Sequence, residues 1–95
     1  MKKVKSERYD SVWDALADTP AQAANLRARA ALMREIATVI KNRKWTQVKA
    51  AGHCAITQPR MNDLLRGRVS YFSLDALVNI ATALGRRVHM GLEAA

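Results

Sequence analysis

Apolar residues recur along most of this chain at the three-and-four spacing that makes one face of a helix, and they switch to strict alternation near its end. Residues 1–10 are polar and charged without a clear period and read as a flexible arm; Val12, Trp13 and Leu16 then suit a short helical turn docked on the body. Thr19-Pro20 is a start signal, a capping hydroxyl followed by proline at the first helical position, where a missing N–H costs nothing. From there Leu26, Ala30, Met33, Ile36, Ala37 and Ile40 share a face, and Arg27, Arg29, Arg34 and Glu35 take the exposed side of a helix predicted over about 20–43. Lys41, Arg43 and Lys44 set positive charge at the negative end of its dipole.

Three more helices follow from their punctuation. Thr46 caps a short one over roughly 47–53. Thr57 caps the next, with Pro59 in its first turn and Gly67 as its stop. Ser73 caps the last, with Leu74, Leu77, Val78, Ala81 and Leu84 inward and Gly85 as its stop. In the tail, Val88, Met90 and Leu92 alternate with Arg87, His89 and Gly91, the pattern of one strand. A lone strand has no partner in its own chain, so it either pairs with its copy in a two-fold dimer or packs as an extended tail; pairing is the expectation, and it makes Val88, Met90 and Leu92 the dimer interface. The expected fold class is all-α, four to five helices with a short C-terminal β-strand. Its parts are an arm with a helical turn (1–18), a helical body (19–85) and a dimerisation strand and tail (86–95).

Composition narrows the function. Ninety-five residues make one domain with a simple core, and 49% hydrophobic against 25% charged residues is the balance of a folded chain. The single cysteine, Cys54, excludes an intramolecular disulfide, and with only His53 and His89 beside it no metal-ligand spacing arises, so no metal or cofactor is expected. Cys54 itself reads as a small buried apolar residue. The basic start, Lys2, Lys3 and Lys5, is followed by no apolar run that would make a signal peptide, and no stretch approaches the roughly 18 apolar residues of a membrane span. These features fit a cytoplasmic protein. Paired carboxylates, a glycine-rich phosphate loop and a base-supported nucleophile are all missing, which argues against an enzyme.

The net charge is +8, and three quarters of the excess lies in residues 41–68, where Lys41, Arg43, Lys44, Lys49, Arg60, Arg66 and Arg68 face Asp63 alone. A basic block of this density on helices points to a nucleic-acid partner. Within the block, Gln47–Leu65 has the spacing of a helix-turn-helix. Ala51 is the small residue where two helices meet, Ala55-Ile56-Thr57 is a tight turn, and Ile56, Met61 and Leu64 face inward. Thr57, Gln58, Pro59, Arg60, Asn62 and Asp63 are left at the start and on the outer side of the second helix. Gln and Asn can pair bidentately with adenine, Arg with guanine, and Asp can accept from cytosine. Those six are the candidate base readers, with Thr57, Gln58 and Arg60 expected to reach deepest. Lys41, Arg43, Lys44, Gln47, Arg66, Arg68 and Tyr71 are the candidate phosphate contacts.

The runs Trp45-Thr46-Gln47, Ala50-Ala51, Ile56-Thr57-Gln58-Pro59-Arg60, Asp63-Leu64-Leu65-Arg66-Gly67, Phe72-Ser73-Leu74-Asp75 and Leu84-Gly85-Arg86 resemble the XRE-type helix-turn-helix family, and in particular its HigA-like antitoxin branch. The resemblance covers residues 11–92, over 80% of the chain. It implies a lambda-repressor-like helical core and a homodimer on double-stranded, pseudo-palindromic operator DNA. It also implies repression of its own operon and neutralisation of a RelE-like ribonuclease toxin. Trp13 with Asp10, Asp14 and Asp18 is the candidate surface for such a basic toxin. The chain has Ala55 where the family usually has glycine and Asn62 where it often has serine. A stand-alone regulator from a phage or mobile element, without a toxin partner, is the competing reading, and a sequence-blind RNA binder is a third.

Overall fold

The computed structural model describes residues 17–94. They form four helices, α1 (Pro20–Asn42), α2 (Gln47–Cys54), α3 (Gln58–Leu65) and α4 (Leu74–Ala83), with a 3-10 turn, Val69–Tyr71, between α3 and α4. Except for Ala17 and Asp18, the arm and first helical turn expected over residues 1–18 lie outside the described residues.

Each helix opens on a hydroxyl that accepts from the backbone N–H three residues on: Thr19 from Gln22, Thr46 from Lys49, Thr57 from Arg60 and Ser73 from Ala76, all at 3.1–3.2 Å. These bonds satisfy donors that a helix start leaves without intrahelical partners. Each helix also ends in a left-handed residue: Lys44 (φ 55°), Ala55 (φ 57°), Gly67 (φ 75°) and Gly85 (φ 78°). After α2, α3 and α4 the chain turns back on itself through Ile56 N–H to Ala51 O, Arg68 N–H to Asp63 O and Arg86 N–H to Ala81 O, which pair carbonyls the helix would leave open. Glycine marked two of these stops in the sequence; Lys44 and Ala55 carry the same conformation with a Cβ.

The buried cluster joins Ala30, Met33, Ile36 and Ile40 of α1 to Ala50, Ala51 and Cys54 of α2, Met61 and Leu64 of α3, and Leu77, Ile80 and Ala81 of α4. Val69, Phe72 and Leu84 close it between and beyond the helices. The expected face of α4 needs one correction: Val78 is exposed and Ile80 is buried, because α4 presents the side carrying Leu77, Ile80 and Ala81 to α1 and α2.

A second correction concerns Arg29, expected on the exposed side of the first helix. Its guanidinium is partly buried, and one nitrogen, Nη1, donates to the carbonyls of Phe72 at 3.0 Å and Val69 at 3.3 Å. It thereby holds the 3-10 turn against α1. Its Nε is buried without a partner, so the tie carries a desolvation cost.

The third correction is the C-terminal strand. Residues 86–94 form neither helix nor strand. A strand exists only as a ladder, and no other strand among the described residues offers one. The alternation is also put to uneven use: Val88 packs partly against the core, whereas Met90 is 76% exposed and Leu92 wholly so. Between α1 and this tail runs a groove of about 480 Å³, lined by Leu32, Val39, Ala81, Leu84 and Val88 among others.

Candidate nucleic-acid interface

The outward side of α3 is built by what lies beneath it. Met61 and Leu64 are buried, Ala51 of α2 is buried with them in the core, and the turn at Ala55 reverses the chain, so Thr57, Gln58 and Pro59 emerge exposed at the start of α3. Gln47 opens α2, and its Nε2 donates to the carbonyl of Gln58 at 3.3 Å, which ties the two helix starts together. Gln47 was expected to hold a phosphate; its side chain also fixes where α3 begins.

The six candidate base readers meet different fates. The Thr57 hydroxyl is taken up in capping α3. Gln58 and Pro59 are exposed and Asn62 is half-buried, and neither side-chain amide has a hydrogen-bond partner among the described residues. The guanidinium of Arg60 lies 4.4 Å from the centre of the Phe72 ring, and its Nη1 donates to the Tyr71 carbonyl at 3.3 Å. Asp63 accepts from Arg68 in an ion pair of 3.0 Å. Arg60 and Asp63 are therefore both engaged inside the chain.

The phosphate candidates divide in the same way. Lys41, Lys44 and Arg66 are exposed, as is Lys49, which the site reading passed over. Arg43 instead donates from Nη2 to the Leu84 carbonyl at 2.7 Å, closing the end of α4, and lies 5.0 Å from the Trp45 ring. Trp45 in turn stacks on His53 with centroids 4.1 Å apart and packs against the core. Arg68 is held by Asp63. Tyr71 is more than half exposed, and its carbonyl serves Arg60. Arg29 and Arg43 escaped notice as structural ties because their carbonyl partners lie about forty residues away in sequence, and nothing local signals them.

Cys54 is buried, and burial pushes its thiol above the usual value, with Arg43 nearby opposing the shift more weakly. It is a neutral core residue at physiological pH. No group of three or more His, Cys, Asp or Glu among the described residues could hold a metal ion, and no helix among them is long and apolar enough to cross a membrane. Of the candidate partner surface, Asp18 is exposed just ahead of α1, where its backbone N–H donates to Gln22 Oε1 at 2.7 Å; Asp10, Trp13 and Asp14 lie outside the described residues.

Two short helices joined by a tight turn, the second exposed at its start and with exposed cations on the neighbouring segments, make the arrangement that enters a DNA major groove. Residues 15–93 match the helix-turn-helix domain family. The chain belongs to that family. A helix-turn-helix domain is a DNA-binding module. No curated protein matches the chain.

Proposed function

We propose that this helix-turn-helix protein is a sequence-specific transcriptional repressor that binds operator DNA as a homodimer and serves as the antitoxin of a HigBA-type module. The observation that carries the DNA reading is α3: capped at Thr57, seated on α2 through Ala51, with side-chain amides outward and Lys41, Lys44, Lys49 and Arg66 exposed around it. The cations neutralise phosphates and set the register, and the amides read base edges.

Dimerisation is supported by the tail, which exposes Met90 and Leu92 on an extended segment after Val88 has joined the core. Two copies place two α3 helices on half-sites about 34–36 Å apart, so the operator is pseudo-palindromic. The antitoxin role rests on the HigA-like runs at Ile56–Arg60, Asp63–Gly67 and Phe72–Asp75, and its partner surface is assigned to Asp10, Trp13, Asp14 and Asp18. Acidic residues flanking a tryptophan in the sequence suit a basic, RelE-like ribonuclease.

Fluorescence anisotropy of the DNA upstream of the gene, against a scrambled duplex at two salt concentrations, tests the repressor. Specificity on the order of 10³-fold or more with a steep salt slope is expected. Equal, weak binding to both duplexes refutes it. For the antitoxin, co-purification with the product of the adjacent gene should recover a small basic ribonuclease. If it recovers none, the protein is a stand-alone regulator of the same class.

A further inference from the structure

From the division of labour on α3, we infer that the half-site is read at A·T pairs by Gln58 and Asn62, and that Arg60 and Asp63 belong to the scaffold. The inference rests on the DNA-binding reading above and names the bases that reading leaves open. The helix carries side chains for both kinds of pair. Arg60 is its guanine reader and Asp63 its cytosine reader, whereas Gln58 and Asn62 match the donor–acceptor pair on adenine.

Both G·C readers are occupied inside the chain. Arg60 covers the buried Phe72 ring at 4.4 Å and donates to the Tyr71 carbonyl at 3.3 Å. Moving it into a groove uncovers that ring and leaves the carbonyl without its donor. Asp63 is neutralised by Arg68 at 3.0 Å. Released from that pair, its carboxylate faces the repulsion of the phosphate backbone.

Neither adenine reader's amide has a partner among the described residues, with Gln58 exposed and Asn62 half-buried. Gln58 and Asn62 are four residues apart, so their side chains are neighbours on one face of the helix. Four residues advance a helix by about 6 Å, against about 3.4 Å per base pair along DNA, so the two amides address bases one or two steps apart. The bond from Gln47 to the Gln58 carbonyl holds the first of them in place relative to α2. Beside it, the exposed Pro59 ring offers an apolar contact of the kind a thymine methyl accepts, on the far side of the same type of pair.

The test starts from a randomised duplex pool. The full-length protein selects from it, and the enriched half-site is sequenced. Anisotropy is then measured on duplexes with each position exchanged between A·T and G·C, for wild type, Gln58→Ala, Asn62→Ala, Arg60→Gln and Asp63→Asn. Two A·T positions within two steps of each other should lose about 10- to 100-fold on exchange. Gln58→Ala should abolish the discrimination at one of them and Asn62→Ala at the other, with unchanged melting temperatures. Arg60→Gln, which keeps two of the three stem methylenes and a donor so that the fold survives, should lower the melting temperature and leave both preferences intact. A half-site centred on a G·C pair whose preference disappears in Arg60→Gln or Asp63→Asn overturns this inference and keeps the DNA-binding reading. A pool with no enriched sequence and uniform binding overturns the sequence-specific reading, and this inference with it.

Discussion

Lys44 and Ala55 hold the same left-handed conformation for different ends. An L-residue there costs about 1–2 kcal/mol relative to the right-handed region, and glycine escapes most of it. Glycine also loses about 0.4–1 kcal/mol through the freedom it adds to the unfolded chain, so Ala55→Gly should stabilise by up to about 1 kcal/mol. Thermal unfolding followed by circular dichroism should show a rise of a few degrees, with DNA affinity unchanged; a fall would mean that the Ala55 methyl is favourably packed. Lys44→Gly should raise the melting temperature for the same reason, yet weaken DNA binding and reduce the salt slope by about one, because it removes an exposed cation. Cys54 adds a pH dependence. Its folded thiol titrates higher than the unfolded one, so the folded state binds the proton more tightly. That stability is complete below the unfolded value and is lost as pH climbs through the folded one. Wild type should therefore lose more stability than Cys54→Ala between neutral and strongly alkaline pH, and denaturant titrations at the two pH values would show it.

At the scale of elements, four short pieces are held in place by a few side chains that reach across the chain. Arg29 ties the 3-10 turn to α1, Arg60 ties α3 to the end of that turn, and Arg43 closes α4. Arg29→Ala removes the donor to two carbonyls at a partly buried site, and a loss of about 1–3 kcal/mol is expected in chemical denaturation. Lys41→Ala is the matched control, since Lys41 is exposed on the same helix: it should cost only about 0.3–1 kcal/mol through the lost charge at the helix end and lower DNA affinity. An equal effect of the two variants on stability would remove Arg29 from its structural role. The basic block of residues 41–68 is thus two populations. Arg43, Arg60 and Arg68 bond within the chain, although Arg43 and Arg68 remain exposed, whereas Lys41, Lys44, Lys49 and Arg66 are exposed without such a bond among the described residues. Arginine suits the first task because its planar fork meets carbonyls and rings in fixed geometry, whereas a lysine meets a phosphate as a compact point charge.

The whole molecule raises the matter of two copies. The four exposed cations of the basic block that bond to nothing among the described residues, Lys41, Lys44, Lys49 and Arg66, give a slope of log affinity against log salt of about −4, and a dimer on two half-sites about −7. The dimer proposal expects the steeper value, together with sedimentation of a two-chain complex on one operator. Met90→Asp combined with Leu92→Asp should reduce both to the single-copy behaviour while the melting temperature of the monomer holds, because neither side chain is in the core. Val88→Asp differs: it places a charge against Leu84 and the α1 face and should destabilise the fold itself. If the tail variants leave the slope and the mass untouched, dimerisation through the tail is refuted.

The sequence alone determined what depends on neighbours in the chain. All four capping hydroxyls, the glycine stops at Gly67 and Gly85, the turn at Ala55–Thr57 and most of the buried stripe of α1 (Ala30, Met33, Ile36 and Ile40, though not Ala23) were legible, because caps, stops and periodicity act over three or four residues. So was the helix-turn-helix motif, whose constraints lie within Gln47–Leu65. Three things waited for the tertiary structure. One is which side of α4 turns inward, where Ile80 takes the place expected of Val78, since several apolar faces fit one helix and only the neighbouring helices choose between them. The next is the tail, whose alternation suggests a strand that a single chain cannot pair. The last is the use of each arginine. A guanidinium has the same letter whether it meets a phosphate, a carbonyl or a ring, and the partners that decide it are brought near only when the chain has folded.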